Sequence, residues 1–517
     1  MTTIDLGKRH REGGWAKYLP AISTFMVSHL GKDLGDPTYT PAGRVPAGFE
    51  KGMQGINHLD PVGAYYHYPY SLYSAGHAEL DPAKGPTREP MIHNRDRENT
   101  IILGDSGGFQ ISSGILKMPW DDFKGKEADA VRDKILRWLE DTSDWAMTLD
   151  VPPFAALGAA SKRTGLTSPD QCLDLSVHNL HYFLKNRIPG KTRFLNVISG
   201  TNSENSKTWY EAIKWFSMPD AVETMGYERN RALEGWAFAG TNMRNMYTLL
   251  MRMLDLRDDN LLHDKDWIHF LGIGRLDWAC HLTAIERMLR KYHNPNISLS
   301  FDASSPYVSA GGYGLVYTYN QFSADRLTYS MEKCIDNKDL KGSKLAMPFQ
   351  SPIMDRLTVG DICAMGHNDL NKIGKIGKTS WDVTSYALMM AHNVYNHIHA
   401  VQEVNRLADL DHATRKGVDF RDWYIMRNSK RQTNLSTYIP NSIIFFNDFI
   451  QKLFDPANAD GARAMVEEHK PFLDFISFGD KTNDLFDTHF GATVTAPDVG
   501  DDELKHIIDD EGAVDER

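Results

Sequence analysis

The segment Gly104-Asp-Ser-Gly-Gly-Phe-Gln110 carries residue types suited to chemistry on a flat, polar ring. Glycines directly after a strand let the backbone approach such a ligand, and their N–H groups can bind its polar edge. Phe109 could stack on the ring, and Asp105, at the end of the strand, could exchange protons with it. A tight turn with a solvated aspartate is the simpler interpretation of a shorter fragment. The six consecutive residues from Asp105 favour a ligand site with an acid/base carboxylate.

Short apolar runs that end in a small or acidic residue recur along the chain, and amphipathic segments separate them. Residues 128–139, 206–216 and 278–292 have apolar positions at helical spacing. Strands and helices in alternation predict parallel β/α units. The predicted strands are 100–105, 145–150, 193–199, 235–240, 267–274 and 297–302.

The residues that close these strands decide between a barrel and an open sheet. A TIM barrel gathers the carboxyl ends of all its strands around one mouth, where its active site lies. A doubly wound sheet gathers them only at its switch point. The pattern therefore predicts an α/β fold of the TIM (β/α)8 barrel type, with 23–28 and 344–349 as candidates for the first and eighth strands. The closing residues are Asp105, Asp150, Ser199, Gly240, Gly274 and Asp302.

The organisation expected around this barrel has four parts. A loop-rich segment, 1–95, packs on the barrel, which occupies 96–380. A helical extension follows at 381–497, and an acidic tail, 498–517, ends the chain.

The composition is that of an ordinary globular protein. Of 517 residues, 41% are hydrophobic and 24% are charged, and no run of about eighteen apolar residues predicts a membrane span. Four cysteines and the lack of a signal-peptide pattern predict a reducing, cytoplasmic compartment. A net charge of −11 argues against binding nucleic acid through overall charge, although a local basic groove would suffice. The basic segments 372–378 and 427–431 are candidates for phosphate contacts, with solvated loops as the alternative.

On these motifs the chain resembles the tRNA-guanine transglycosylase superfamily. Asp105-Ser-Gly-Gly-Phe-Gln110 is similar to the signature that this family carries on its second barrel strand, and Phe301-Asp302 is similar to the pair that supplies its nucleophile. The resemblance covers roughly residues 95–405. Weaker similarities occur in the family's order at Met147-Thr-Leu-Asp150, Val197-Ile-Ser-Gly200, Gly235 to Gly240 and Leu271 to Gly274.

The resemblance implies an exchange of guanine in a nucleic acid for a 7-deazaguanine base, such as preQ0. Exchange at C1′ with retention suits two carboxylates. Asp302 would be the nucleophile that holds a covalent glycosyl intermediate, Asp105 the general acid/base, and Asp150 an acceptor for the base. A capping role for Asp302 and a turn role for Asp150, before Pro152-Pro153, are the structural alternatives. The further base contacts implied are Ser106, Phe109, Ser199, Gly200 and Gly240.

Two departures from the family pattern concern the substrate and a metal. The nucleophile is followed by Ala303-Ser-Ser-Pro306 and not by a Pro-Thr-Arg type sequence. The family's structural zinc is bound by three cysteines and a histidine, but the outer cysteine positions here fall on Asp361 and Gly366. The resemblance leaves zinc open, against the alternative of a site that has decayed to packing. The ligands would be Asp361, Cys363, His367 and His392.

These departures favour the branch of the superfamily that modifies DNA, the DpdA-type enzymes of phages and bacteria, over the tRNA branch. The expected partners are DNA, or alternatively tRNA, and a 7-deazaguanine base, with no membrane and with a homodimer left open. A barrel glycoside hydrolase also uses two carboxylates, but more often has glutamates at its strand ends and tryptophans in its cleft. A non-catalytic partner subunit is disfavoured because Asp105 and Asp302 are both present.

Overall fold

Eight parallel strands form the centre of the structure, a computed structural model that describes residues 3–30, 44–323, 326–370, 374–414 and 438–478. From the second strand to the eighth, strands that are consecutive along the chain are also neighbours in the sheet, and the eighth pairs with the first. Labelled β1 to β8, the strands are Lys17–Pro20, Tyr70–Ser74, Ile101–Asp105, Trp145–Met147, Arg193–Ile198, Gly235–Phe238, Trp267–Phe270 and Ser298–Ala303.

The sheet closes between β1 and β2. A parallel bridge joins Ala21 to Leu72, and the Ile22 N–H donates to the Leu72 carbonyl over 2.9 Å. On its other side β1 pairs with β8, where Leu19 lies opposite Asp302. The predicted α/β barrel of the TIM type is therefore confirmed, and the carboxyl ends of the eight strands surround one mouth.

Six of the strands confirm the prediction, whereas the predicted first strand is wrong. Most of 23–28 belongs to the helix Thr24–Leu30. The Ser23 hydroxyl accepts the N–H of Met26 over 3.3 Å, and a capping contact of this kind starts a helix. The first strand, β1, lies just before this helix.

The predicted eighth strand at 344–349 is also wrong. This segment pairs only through an isolated bridge between Ala346 and Thr358, and Leu345 is 65% exposed. The strands of a parallel barrel are buried on both faces, which this segment is not. The strand that the prediction lacks is β2, Tyr70–Ser74, which pairs with β3. Two barrel strands thus come from the segment 1–95 that the sequence assigns to loops, and Asp105 ends the third strand and not the second.

Helices surround the barrel and alternate with its strands. An antiparallel hairpin, Leu315–Ser323 with Arg326–Lys333, follows β8, and a separate pair of two-residue strands joins Ile4–Asp5 to Tyr66–His67. The helices up to residue 362 are Leu6–Gly13, Thr24–Leu30, Gly85–Arg88, Pro90–His93, Gly108–Ser113, Lys126–Thr142, Gly158–Thr164, Pro169–Asn186, Ser203–Ile213, Pro219–Thr224, Met246–Asp258, Leu276–Tyr292, Ser305–Tyr313 and Val359–Ile362.

The region after residue 380 is helical, as predicted. Val383–Thr414 and Asn441–Phe454 both pack on Leu276–Tyr292, the helix that follows β7. Ala462–Glu468 and Lys470–Phe478 pack on the helix that follows β6. These four helices therefore cover one side of the barrel. No helix in the described ranges is long and apolar enough to span a bilayer. The acidic tail 498–517 lies outside the described residues.

Candidate active site

Three aspartates lie where strands end at the mouth of the barrel. Asp105 is the last residue of β3, Asp302 is the last but one of β8, and Asp150 follows the end of β4. Burial, and in addition the field of a neighbouring carboxylate, raises the pKa of two of them: Asp302 acts on Asp105, and Asp105 acts on Asp150. Like charges disfavour each other's ionisation only when they lie close together. The barrel therefore brings the three predicted carboxylates into one site.

Asp105 is held at the rim by β2 and by its own turn. The Ser74 hydroxyl donates to Oδ2 over 2.6 Å, and the Gly107 N–H donates to Oδ1 over 3.3 Å. Ser74 is also the register partner of Asp105 in the pairing of β2 with β3. Burial raises the pKa of Asp105 from its usual 3.8, and the two hydrogen bonds, which favour the carboxylate, oppose the rise only in part. Asp105 can therefore hold a proton at a pH where an exposed aspartate cannot.

The two glycines after Ser106 are required by close packing. Gly107 has a φ of +81°, and a Cβ there would lie 2.8 Å from the Cα of Gly76. A Cβ on Gly108 would lie 2.6 Å from the carbonyl oxygen of Asp150. A side chain at either position would push apart the loops that carry the site. Packing therefore explains these two glycines independently of the predicted ligand contact.

Ser106 and Phe109, both predicted base contacts, have different surroundings. The Ser106 side chain is 1% exposed and donates to the Thr148 carbonyl over 3.1 Å, which ties the turn to the end of β4. Phe109 is half-buried and pairs with Phe154, with ring centroids 4.9 Å apart and planes tilted by 40°. Ser106 therefore has a structural partner, whereas the phenylalanine pair offers an aromatic surface to a planar ring.

Asp302 is 9% exposed, and its two donors bind the same carboxylate oxygen. The Gly272 N–H donates to Oδ1 over 2.8 Å, and His269 Nε2 lies 3.2 Å from that atom. Within the described chain, Oδ2 has no hydrogen-bond partner. The helix Ser305–Tyr313 receives no capping hydrogen bond from a side chain at its N-terminus. The capping alternative for Asp302 is therefore not supported.

Asp150 lies in the loop after β4, half-buried and against Gly108. Burial raises the pKa of Asp150 to about 7, and the charge of the Asp105 carboxylate is the second cause of this rise. Among the described residues, no side chain donates a hydrogen bond to its carboxylate. A carboxylate without such a partner at the mouth can accept two N–H groups from a ligand.

The ends of β5 and β6 are packed together by two glycines with positive φ. Gly200 has φ +141° and Gly240 φ +61°, and a Cβ on Gly240 would lie 2.4 Å from the Gly200 carbonyl oxygen. The Ser199 side chain is fully buried, and its hydroxyl has no hydrogen-bond partner among the described residues. Asn242, which the sequence does not single out, donates to the Ile198 carbonyl and so links the two strand ends. The three predicted base contacts thus meet at one pair of strand ends, with the Ser199 hydroxyl out of solvent.

Sequence reasoning missed four residues of the site: Ser74, His77, Phe154 and His269. Ser74 and His77 lie on and after β2, which the sequence assigns to loops, so they had no strand-end signal. His77 Nε2 lies 3.0 Å from the side-chain nitrogen of Gln110, the last residue of the signature segment. The signal for His269 is its polar ring inside an apolar run, because such a residue in a buried strand needs a partner.

Two of the four predicted zinc ligands are buried and bound to protein groups. Cys363 is fully buried, and its thiol donates to the Ile335 carbonyl over 3.4 Å. The ring nitrogens of His392 lie 2.8 Å from the Ser351 hydroxyl and 2.8 Å from the Tyr317 carbonyl oxygen. Burial lowers the pKa of His392 to about 4. Both side chains therefore have the contacts of packing residues.

The other two predicted ligands lie in different settings. Asp361 accepts the N–H and the hydroxyl of Thr358, both over 2.7 Å, and so caps a short helix. His367 is exposed and pairs with Asp339 over 2.9 Å. Within the described ranges, no three His, Cys, Asp or Glu side chains are grouped as a metal site requires. These residues do not fit a zinc site, and zinc stays a prediction that their contacts do not support.

Comparison of the sequence with known proteins gave no match. No protein-family model matches the chain, and neither does any curated protein. The family resemblance therefore rests on the motifs quoted above, and the geometry of the site has to carry the functional conclusion.

Proposed function

We propose that this chain exchanges guanine in a nucleic acid, DNA in preference to tRNA, for a 7-deazaguanine base through a covalent aspartyl intermediate. The observation that carries the proposal is the contrast between two carboxylates at one barrel mouth. Burial raises the pKa of Asp105, which suits a general acid. Asp302 is held through Oδ1 by a backbone N–H, which leaves Oδ2 for a nucleophilic role.

The exchange then consists of two balanced steps. Asp302 attacks C1′ and forms an ester while the C1′–N9 bond breaks, and Asp105 transfers its proton to the departing guanine. The incoming base gives its N9 proton to Asp105, and its N9 attacks C1′ and releases Asp302 as a carboxylate. Both aspartates end in the protonation states in which they began, so no water is consumed.

The surroundings of Asp150 favour a purine-like base over a sugar polymer as the ligand. Guanine and its 7-deaza analogues present the N1–H and the 2-amino group side by side, which matches a carboxylate that lacks a side-chain partner among the described residues. The half-buried pair of Phe109 and Phe154 offers an aromatic surface for stacking. A barrel glycoside hydrolase needs the two catalytic carboxylates but has no use for a third that accepts two N–H groups.

Guanine binding should strengthen as the pH rises through the pKa of Asp150, which is about 7. Below that pH the carboxyl is protonated and loses one acceptor, whereas above it the affinity reaches a plateau. Calorimetry across this range should show a rise of up to about tenfold per pH unit on the acid side. Asp150→Asn should bind guanine weakly, with no such rise. A pH dependence that survives in Asp150→Asn would assign the titration to another group.

Three exposed cations lie in the connections that follow three strands at the mouth, and one of them, Lys162, belongs to the short helix Gly158–Thr164. Lys117 follows β3, Lys162 follows β4 and Arg244 follows β6, and none of them forms a salt bridge within the described part of the chain. On a chain of net charge −11, such cations are the groups free to contact phosphates. They support a nucleic acid as the partner. The predicted basic segment 427–431 lies outside the described residues, as do residues 372 and 373 of the segment 372–378.

Removal of these three charges should weaken nucleic-acid binding and its dependence on salt. The variant that combines Lys117→Gln, Lys162→Gln and Arg244→Gln should reduce the slope of log K against log salt by about 2 to 3. Lys185→Gln is the matched control, because Lys185 is exposed near the end of Pro169–Asn186 that is remote from the mouth. Fluorescence anisotropy with duplex DNA measures both slopes. Equal slopes for wild type and the triple variant would contradict the proposal that these three cations contact phosphates.

Labelled guanine tests the proposed function and its substrate. We expect the label to enter duplex DNA and not tRNA when the purified protein is given each polymer separately. Entry into tRNA alone would overturn the preference for DNA and leave the enzyme class intact. Entry into neither, with cleavage of a sugar polymer, would favour a glycoside hydrolase. Exchange that needs a second protein, and that Asp302→Ala leaves unchanged, would favour a partner subunit.

A further inference from the structure

We propose that His269 is a positioning residue that holds Oδ1 of Asp302 and thereby makes Oδ2 the atom that attacks C1′. This inference rests on the proposed base exchange, since Asp302 must be oriented only if it attacks the sugar. His269 lies inside β7 and is fully buried. A buried imidazole beside a carboxylate needs a defined set of hydrogen bonds.

A chain of three hydrogen bonds crosses from β7 to β8. Trp267 Nε1 lies 2.7 Å from Ser300 Oγ, which lies 2.9 Å from His269 Nδ1. His269 Nε2 lies in turn 3.2 Å from Asp302 Oδ1. His269 and Ser300 are register partners in the parallel pairing of the two strands. The sheet itself therefore sets the order of these four side chains.

The direction of these bonds fixes the tautomer of His269. The indole N–H of Trp267 can only donate, so the Ser300 oxygen accepts it. The Ser300 hydroxyl has no other acceptor among the described residues, and it therefore donates to Nδ1 of His269. The histidine proton then lies on Nε2 and is donated to Asp302. The donor to Asp302 is thus the Nε2–H of this tautomer, and among the described residues no Lys or Arg forms a salt bridge with the carboxylate.

Oδ1 of Asp302 is occupied from two sides, by His269 and by the Gly272 N–H. Rotation of the carboxylate would break both contacts, so the two oxygens are not equivalent. Oδ2 remains for the reaction, in one fixed orientation. A nucleophile held in one orientation gains rate because less motion has to be lost on the way to the transition state.

Nitrogen-15 NMR of labelled histidine tests the tautomer in the whole protein without substrate. The signals of His269 are assigned as those that disappear in His269→Gln. We expect the tautomer with its proton on Nε2. A proton on Nδ1, or on both nitrogens, would overturn the proposed relay.

Single-turnover formation of the covalent adduct with duplex DNA tests the consequence. His269→Phe should slow this step by about 10²-fold or more, with the Kd for DNA changed by less than about threefold. His269→Gln keeps an amide that can donate to Oδ1, and it should recover at least about tenfold of that loss. Equal rates for the two variants, or a loss of rate matched by a loss of DNA binding, would contradict a positioning role.

The two tests separate this inference from the proposed function. A wild-type protein that forms no adduct and exchanges no base would overturn the function, whereas the tautomer would still be open to measurement. A wild-type adduct together with an unaffected His269→Phe variant would leave the function standing and remove the inference.

Discussion

Asp302→Asn is expected to abolish covalent capture of DNA and to lower base exchange by about 10⁴-fold or more. An amide cannot form the ester with C1′, so no intermediate accumulates. The substitution should preserve the fold, because the asparagine oxygen can still accept from Gly272 and His269. Single-turnover assays with wild type and variant measure the loss.

A matched control for this variant is Asp170→Asn, which changes an exposed aspartate at the start of Pro169–Asn186. It should exchange base at the wild-type rate. If Asp302→Asn also forms the adduct at that rate, Asp302 is not the nucleophile.

Asp105→Asn is expected to slow the departure of guanine by about 10² to 10⁴-fold, because the variant has no proton to transfer. DNA that carries 7-methylguanine distinguishes this loss from a general defect, since the positively charged base departs without protonation. Asp105→Asn should form the adduct with that DNA at close to the wild-type rate, whereas Asp302→Asn should not. A loss of equal size with both DNA substrates would contradict the general-acid role.

The stability of Asp105→Asn gives an independent check on its environment. Burial raises the pKa of Asp105 above its usual 3.8, so the folded state holds this proton more tightly than the unfolded state does. The free energy of unfolding of wild type therefore falls as the pH rises from the usual pKa of 3.8 to the higher pKa of the folded state. The variant, which has no charge to bury, should be more stable than wild type above the folded-state pKa and equal to it in acid.

The core of the barrel was predictable because six of its strands are apolar runs that end in a small or polar residue. Those runs place Asp105 and Asp302 at the carboxyl ends of β3 and β8, as the structure shows. β1 and β2 were not predicted because β1 ends on Pro20 and β2 begins directly after Pro69, in a segment rich in tyrosine and glycine. Their position in the sheet depends on pairing with β8 and β3, which no local pattern encodes.

The candidate site was predictable where a residue ends a strand, and not where its partner comes from elsewhere in the chain. Ser74 reaches Asp105 only through the pairing of β2 with β3, and His269 reaches Asp302 only through the pairing of β7 with β8. The zinc expectation rested on the family resemblance and on spacing along the chain, whereas His392 is bound between the Ser351 hydroxyl and the Tyr317 carbonyl. Spacing along the chain does not show which partner a buried group has found.

The most direct test of the central claim is to identify the residue that carries the sugar. Wild-type protein is mixed with duplex DNA, the reaction is quenched in denaturant, and the protein is digested and analysed by mass spectrometry. The structure leads us to expect a nucleotide fragment on the peptide that contains Asp302, and none in Asp302→Asn. A fragment attached to Asp105 or Asp150, or base exchange with no attachment to any residue, would contradict the account.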